Sequence, residues 1–288
     1  MRALFAAVVP WATLVFAVSS MLAVGLAHSV REVLWPLRRW KRVLGALAIN
    51  FGLAPLLAYL LARLFRLDFP HALGLFVVGS AAGAPFLLKL TQFARGNVAF
   101  AASLLVVLLP CTIAFLPLVV PIAAPRAEVS AGAIAVPLVF SMLLPLALGL
   151  SVRPVAPRFS ARAAHILSRF ATFALGVLLL SIVVVNWGAI VGIGARPILA
   201  AAVFTLVAFG LGWWLGAPYP YIQEVLALGA ALRNIAAATV VATQTFEHLS
   251  GVLVMVTATS VVALVLLFPI SFAVRRGAEA RFLRRRHA

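Results

Sequence analysis

Long apolar runs alternate with short polar links from one end of the chain to the other. A helix that crosses a bilayer needs about 20 predominantly apolar residues, and by that measure the pattern predicts an all-α polytopic membrane protein of about nine spans. They run over 4–28, 43–64, 71–94, 98–122, 131–152, 166–187, 198–215, 221–246 and 251–274. The link at 123–130, with Pro125 and Arg126, marks the boundary between two halves, 1–122 and 131–274, of one transmembrane domain. Residues 275–288 form a basic tail.

Two of the runs are interrupted. The eighth carries Arg233 and Asn234 at its middle, just after Gly229. A cation at that depth costs roughly 2.5–3.5 kcal/mol on insertion scales and marks a functional site by default. Arg233 lies on the order of 18 Å from either end of its span at the helical rise, too far to snorkel. The chain's acids are Glu32, Asp68, Glu128, Glu224, Glu247 and Glu279, and none falls mid-span to neutralise it. The third run carries Gly83-Ala84-Pro85 and then Lys89, whose stem is long enough to reach its own end of the span. Both runs are expected to unwind, near Gly83–Pro85 and near Gly229–Leu232, and to cross. Broken spans in the two halves of a chain point to a transporter built from inverted repeats. Arg233, Asn234, Lys89 and Pro85 are therefore candidate substrate-binding residues. Other polar residues within spans, such as Thr91, Thr239 and Gln244, read more simply as bonds between helices.

Composition narrows the class. The chain is 65% hydrophobic and 10% charged, against roughly 45–50% and about 25% for a soluble domain. The net charge of +17 comes from arginines in the short links, a topology signal rather than a nucleic-acid footprint. The links after the first, third and fifth spans, and the tail, hold most of them, which places the C-terminus in the cytoplasm and the N-terminus outside. The first apolar run is longer than the core of a signal peptide and reads as a retained span. Arginine far outnumbers lysine, a bias of GC-rich bacterial genomes, so the expected location is a bacterial inner membrane. With one cysteine, Cys111, and no Cys/His cluster, neither a disulfide nor a metal site is expected. No cofactor, and no acid pair or Ser/His pair suited to an enzyme, is visible.

The order of these features resembles the bile acid:sodium symporter family over roughly residues 8–274. The resemblance is carried by Met21-Leu22-Ala23-Val24-Gly25-Leu26, by Asn50-Phe51 with Pro55, and by Ala94-Arg95-Gly96-Asn97-Val98-Ala99. Arg233-Asn234 falls where that family has Gln-Asn. It implies a panel domain and a core domain, with the two broken helices crossing in the core, and it promotes Asn50 to the site. The resemblance also implies a loss. Positions matching the family's sodium ligands are Leu87, Leu88, Ala101, Leu105 and Gly229, and the span-two glutamine is Asn50. Sodium is thus not expected as a partner, and Lys89 and Arg233 stand as tethered cations in its place. The expected function is secondary transport of a small organic anion across the bilayer without sodium coupling. The alternative is a sensor or partner subunit that keeps the fold, and a water-accessible cavity reaching Arg233 would favour the transporter.

Overall fold

A computed structural model of the chain describes residues 2–31, 40–125, 130–217, 219–246 and 248–286. All regular structure among these residues is helical. α1 (Arg2–Ala27) is followed by α2 (Trp40–Ala48), a π-helical turn at Ile49–Leu53, and α3 (Ala54–Leu64). The third apolar run divides into α4 (Phe69–Ser80) and α5 (Leu87–Phe93). α6 (Val98–Ala123) closes the first half. The second half begins with α7 (Ala131–Leu138), a second π turn at Val139–Leu143, and α8 (Leu144–Val155). Then come α9 (Pro157–Gly192), α10 (Ala195–Gly216), α11 (Pro220–Ala231), α12 (Ile235–Gln244) and α13 (Ser250–Arg286). Among the described residues, 7 helical stretches are long and apolar enough to cross a membrane. The stretch Ile222–Gln244 is the most enclosed, with 94% of its apolar window inside the protein. The rest of the bundle is built around it.

Both π turns have the same local cause. A π turn bonds each carbonyl to the N–H five residues on, and Ala54 N–H bonds the Ile49 carbonyl in that way. The next such donor would be Pro55, which has no N–H. The Asn50 carbonyl is therefore left open toward a neighbour. Leu144 N–H bonds the Val139 carbonyl in the second turn, and Pro145 stands in the same relation to Phe140.

The two breaks differ from the sequence expectation in one respect. The first spans 81–86 and contains Gly83, whose φ of +76° lies in the left-handed region that favours glycine. The second lies at 232–234, later than the Gly229–Leu232 expected, and Gly229 is helical within α11. Its lack of a side chain serves packing instead: a Cβ there would stand 3.0 Å from Leu104 Cδ2 and 3.4 Å from Leu87 Cδ2. The restart of the helix is set by Asn234, whose side chain accepts from Ala237 N–H as an N-cap. Asn97 caps α6 and Ser130 caps α7 in the same manner.

Two links are also more helical than expected. α9 begins at Pro157, so the arginines at 158, 162 and 169 ride on the helix that continues into the sixth apolar run. Proline is favoured at a helix start, and arginine is a good helix former. α13 likewise carries the tail in helical form as far as Arg286. α1 packs along α9 and α8, α10 along α11, and α13 along α4. The α1–α8 crossing is close because glycine meets glycine. A Cβ on Gly149 would fall 2.8 Å from Gly25 Cα, and one on Gly25 would fall 2.4 Å from the Leu146 carbonyl oxygen. Small residues at such contacts let membrane helices approach and gain dispersion energy.

Candidate functional site

Non-helical backbone at membrane depth survives only where every polar group finds a partner inside the protein. The two breaks supply those partners to each other. Asn234 N–H bonds the Ala81 carbonyl at 2.8 Å. Asn234 Nδ2 donates to the Gly83 carbonyl at 3.1 Å, while its Oδ1 holds Ala237 N–H at 3.1 Å. Thr112, from α6, closes the remaining side: its hydroxyl accepts from Ala82 N–H and donates to the Ala82 carbonyl, both at 3.0 Å. One asparagine and one threonine thus seal the gap in α4–α5.

Arg233 fills the centre of this junction and is 3% exposed. Its guanidinium has five N–H donors in a rigid fork, and every one has an acceptor. Nε donates to the Val78 carbonyl at 3.1 Å. One terminal nitrogen donates to Asn50 Oδ1 at 2.6 Å and to the Ala230 carbonyl at 3.2 Å. The other donates to the Asn50 carbonyl at 3.3 Å and to the Gly79 carbonyl. The acceptors come from the C-terminal ends of α4 and α11 and from the first π turn. Helix C-termini carry partial negative charge, so the cation sits where α4 and α11 present their carbonyl ends and the π turn an open carbonyl. Asn50, 1% exposed, is fixed in turn by donating from Nδ2 to the Ala46 carbonyl at 2.9 Å.

Lys89 and Pro85 lie elsewhere. They line a cavity of ≈ 390 Å³ between α1, α5, α8 and α9. Lys89 Nζ donates to the Ser168 carbonyl of α9 at 3.1 Å. Arg153, His28, His165 and Gln92 supply further polar lining, and among the described residues no carboxylate lines the cavity. Phe16, Phe86 and Leu175 give it apolar walls. A second cavity of ≈ 450 Å³ lies between α3, α4 and the end of α6, beside Tyr59, Arg63, Phe69 and Ile122.

The candidates therefore fall into two groups. Arg233, Asn234 and Asn50 form one buried network, while Pro85 and Lys89 face a cavity that Arg233 does not line. The cavity expected to reach Arg233 reaches the break in the third run instead, at Pro85 and Phe86. Sequence reasoning missed Thr112, one hydroxyl in a run of apolar residues with no spacing signal. It counted Arg153 only as a topology signal and passed over His28 and His165. Of the positions that the resemblance would match to sodium ligands, Leu87, Ala101 and Leu105 are buried in the apolar cores, and Leu88 lines the cavity.

A bundle of membrane-length helices with two mutually bonded breaks is the architecture of a polytopic membrane transporter. The comparison with known families agrees. The model of the sodium bile acid symporter family matches residues 14–193, more than half of the chain, and the chain belongs to that family. The matched segment ends before α11 and α12, so it contains Asn50, Pro85 and Lys89 but not Arg233 or Asn234. The family is one of membrane transporters, not enzymes. No curated protein matches the chain.

Proposed function

We propose that the chain is a nine-span secondary transporter that moves a small organic anion without sodium, with its C-terminus in the cytoplasm. The observation that carries this reading is the cavity beside the α4–α5 break. It is lined by Lys89 and Arg153, has no carboxylate among the described residues that line it, and has apolar walls. Ligand sites of about 300–1,000 Å³ are typical for small organic molecules, and two cations favour an anion with an apolar body. α1, α8 and α9 supply one wall and act as the panel. α5 and the break supply the other and belong to the core, so relative movement of the two bodies would expose the site to either side. The arginine-rich links favour a cytoplasmic position for the end of this cavity at Lys89 and Arg153.

Arg233 supports sodium independence. Sodium binds through hard oxygens, and a guanidinium already engages the carbonyls at the crossing. A tethered cation cannot be released, so it cannot draw on the sodium gradient. Arg233 acts as the fixed charge that holds the crossing together, and Lys89 makes the direct contact with the anion.

The test is uptake into proteoliposomes with a panel of organic anions, in sodium and in choline media. Uptake equal in both is expected, with Lys89→Gln and Arg153→Gln each weakening the apparent affinity for the anion. Strict dependence on sodium would overturn the mechanism. Unaltered anion affinity in both variants would remove the cavity as the site.

A further inference from the structure

We infer that the second cavity, between α3, α4 and the end of α6, holds an acyl chain of an anionic phospholipid whose phosphate rests on Arg63. The cavity of ≈ 450 Å³ runs about 10 Å along α4 at the helical rise, from Phe69 to Phe76. Ala62, Leu67, Ala72 and Leu73 give it apolar walls. Arg63, in the last turn of α3, is the charged side chain among the described residues that line it. Its guanidinium lies over the Tyr59 ring, 5.3 Å from the centroid. A contact with a ring face is electrostatic and leaves the N–H fork for a phosphate, an anion whose geometry it matches. Arg66 adds an exposed cation three residues on, while the nearby Asp68 carboxylate is engaged by His71.

The surroundings select a lipid over a soluble anion. Tyr59, Phe69 and Ile122 line the cavity and are exposed, as are Leu60 and Leu64 on α3 and Leu118 on α6. Lipid tails are as apolar as leucine, so in a membrane span such side chains face acyl chains, and a slot among them fills with hydrocarbon. Tyr59 and Arg63 share the end of α3, the level at which aromatic rings and cations meet headgroups. Basic pockets between membrane helices take anionic headgroups for the same reason. A chain seated there braces α3 against α4, the helix whose other end gives the Val78 and Gly79 carbonyls to Arg233.

Binding of dioleoyl phosphatidylglycerol and dioleoyl phosphatidylcholine to the full-length purified protein, followed by native mass spectrometry, tests this. The two lipids share their chains, but choline offsets the phosphate charge in the second. The first phosphatidylglycerol should bind about tenfold tighter than the first phosphatidylcholine, the worth of one charge-assisted hydrogen bond. Arg63→Gln should lose that preference. Ala72→Phe, which fills the slot and keeps Arg63, should lose it too. Arg196→Gln removes an exposed arginine close to Ile193, which packs in the same cluster as Leu61, and should keep it. Equal affinity for the two lipids, or a preference that survives in Arg63→Gln, overturns the lipid site. A preference lost equally in Arg196→Gln overturns it as well, since the attraction then belongs to the surface at large. Competition by soluble glycerol 3-phosphate as strong as that by the lipid shows a site for a free anion, and the acyl chain has no part in it.

Discussion

Replacing Arg233 by methionine is the sharpest perturbation the crossing offers. The side chain stays long but becomes apolar, and all five donors vanish. The Val78 carbonyl retains the Ala81 N–H, but three other acceptors have no such fallback. The Asn50 carbonyl faces Pro55, which has no N–H; the Ala230 carbonyl has lost the Asn234 N–H to Ala81; and Asn50 Oδ1 points at the guanidinium. A buried acceptor stripped of its partner costs about 1–3 kcal/mol. Relief from burying a cation offsets part of this sum. A net loss of about 2–4 kcal/mol is expected, the cost of the stripped neutral acceptors less that relief. Arg233→Lys should fall between, since three donors replace five and the planar fork is gone. Arg233→Gln should destabilise and weaken uptake without making either sodium-responsive. Thermal unfolding in detergent, in sodium and in choline, reads the stability. Uptake in the same media reads the function. If Arg233→Met unfolds at the wild-type temperature and transports normally, the guanidinium does not hold the crossing. If sodium stabilises Arg233→Gln, the cation site was never dismantled.

Asn234→Ala should cost about 1–2 kcal/mol through loss of the α12 cap, and Asn234→Ser, which keeps a capping oxygen but not the donor to Gly83, should recover part of it in the same melts. Gly149→Ala should destabilise by about 1–3 kcal/mol, as overpacking does, because its Cβ has no room against Gly25 and Leu26; wild-type melting would disprove the close crossing. A reporter fused after Ala288 should be active only in the cytoplasm, and activity outside would invert the topology.

The apolar runs determined the class of the protein by themselves, because a bilayer forces each crossing into a helix of predictable length and composition. Gly83 and Pro85 marked the first break for equally local reasons, one permitting a left-handed dihedral and the other lacking a donor. Asn97 and Ser130 cap α6 and α7 through bonds three residues ahead, a local feature that went unread. The second break had no such local mark. Gly229 drew attention to itself, yet it stays helical within α11, packed against Leu87 and Leu104. The chain unwinds later, where Asn234 can satisfy the Ala81 and Gly83 carbonyls of the other break. That choice depends on a partner about 150 residues away in sequence, as the separation of Asn234 from Gly83 shows. The role of Arg233 was hidden for the same reason. The sequence shows a mid-span cation without an acid, and that fact alone suits a ligand site. Only the folded chain brings the carbonyl ends of α4 and α11 and the proline-freed carbonyl of Asn50 to one point, where the neutralising charge is made of backbone dipoles. Backbone dipoles leave no trace in residue identity, whereas their convergence is a property of tertiary structure.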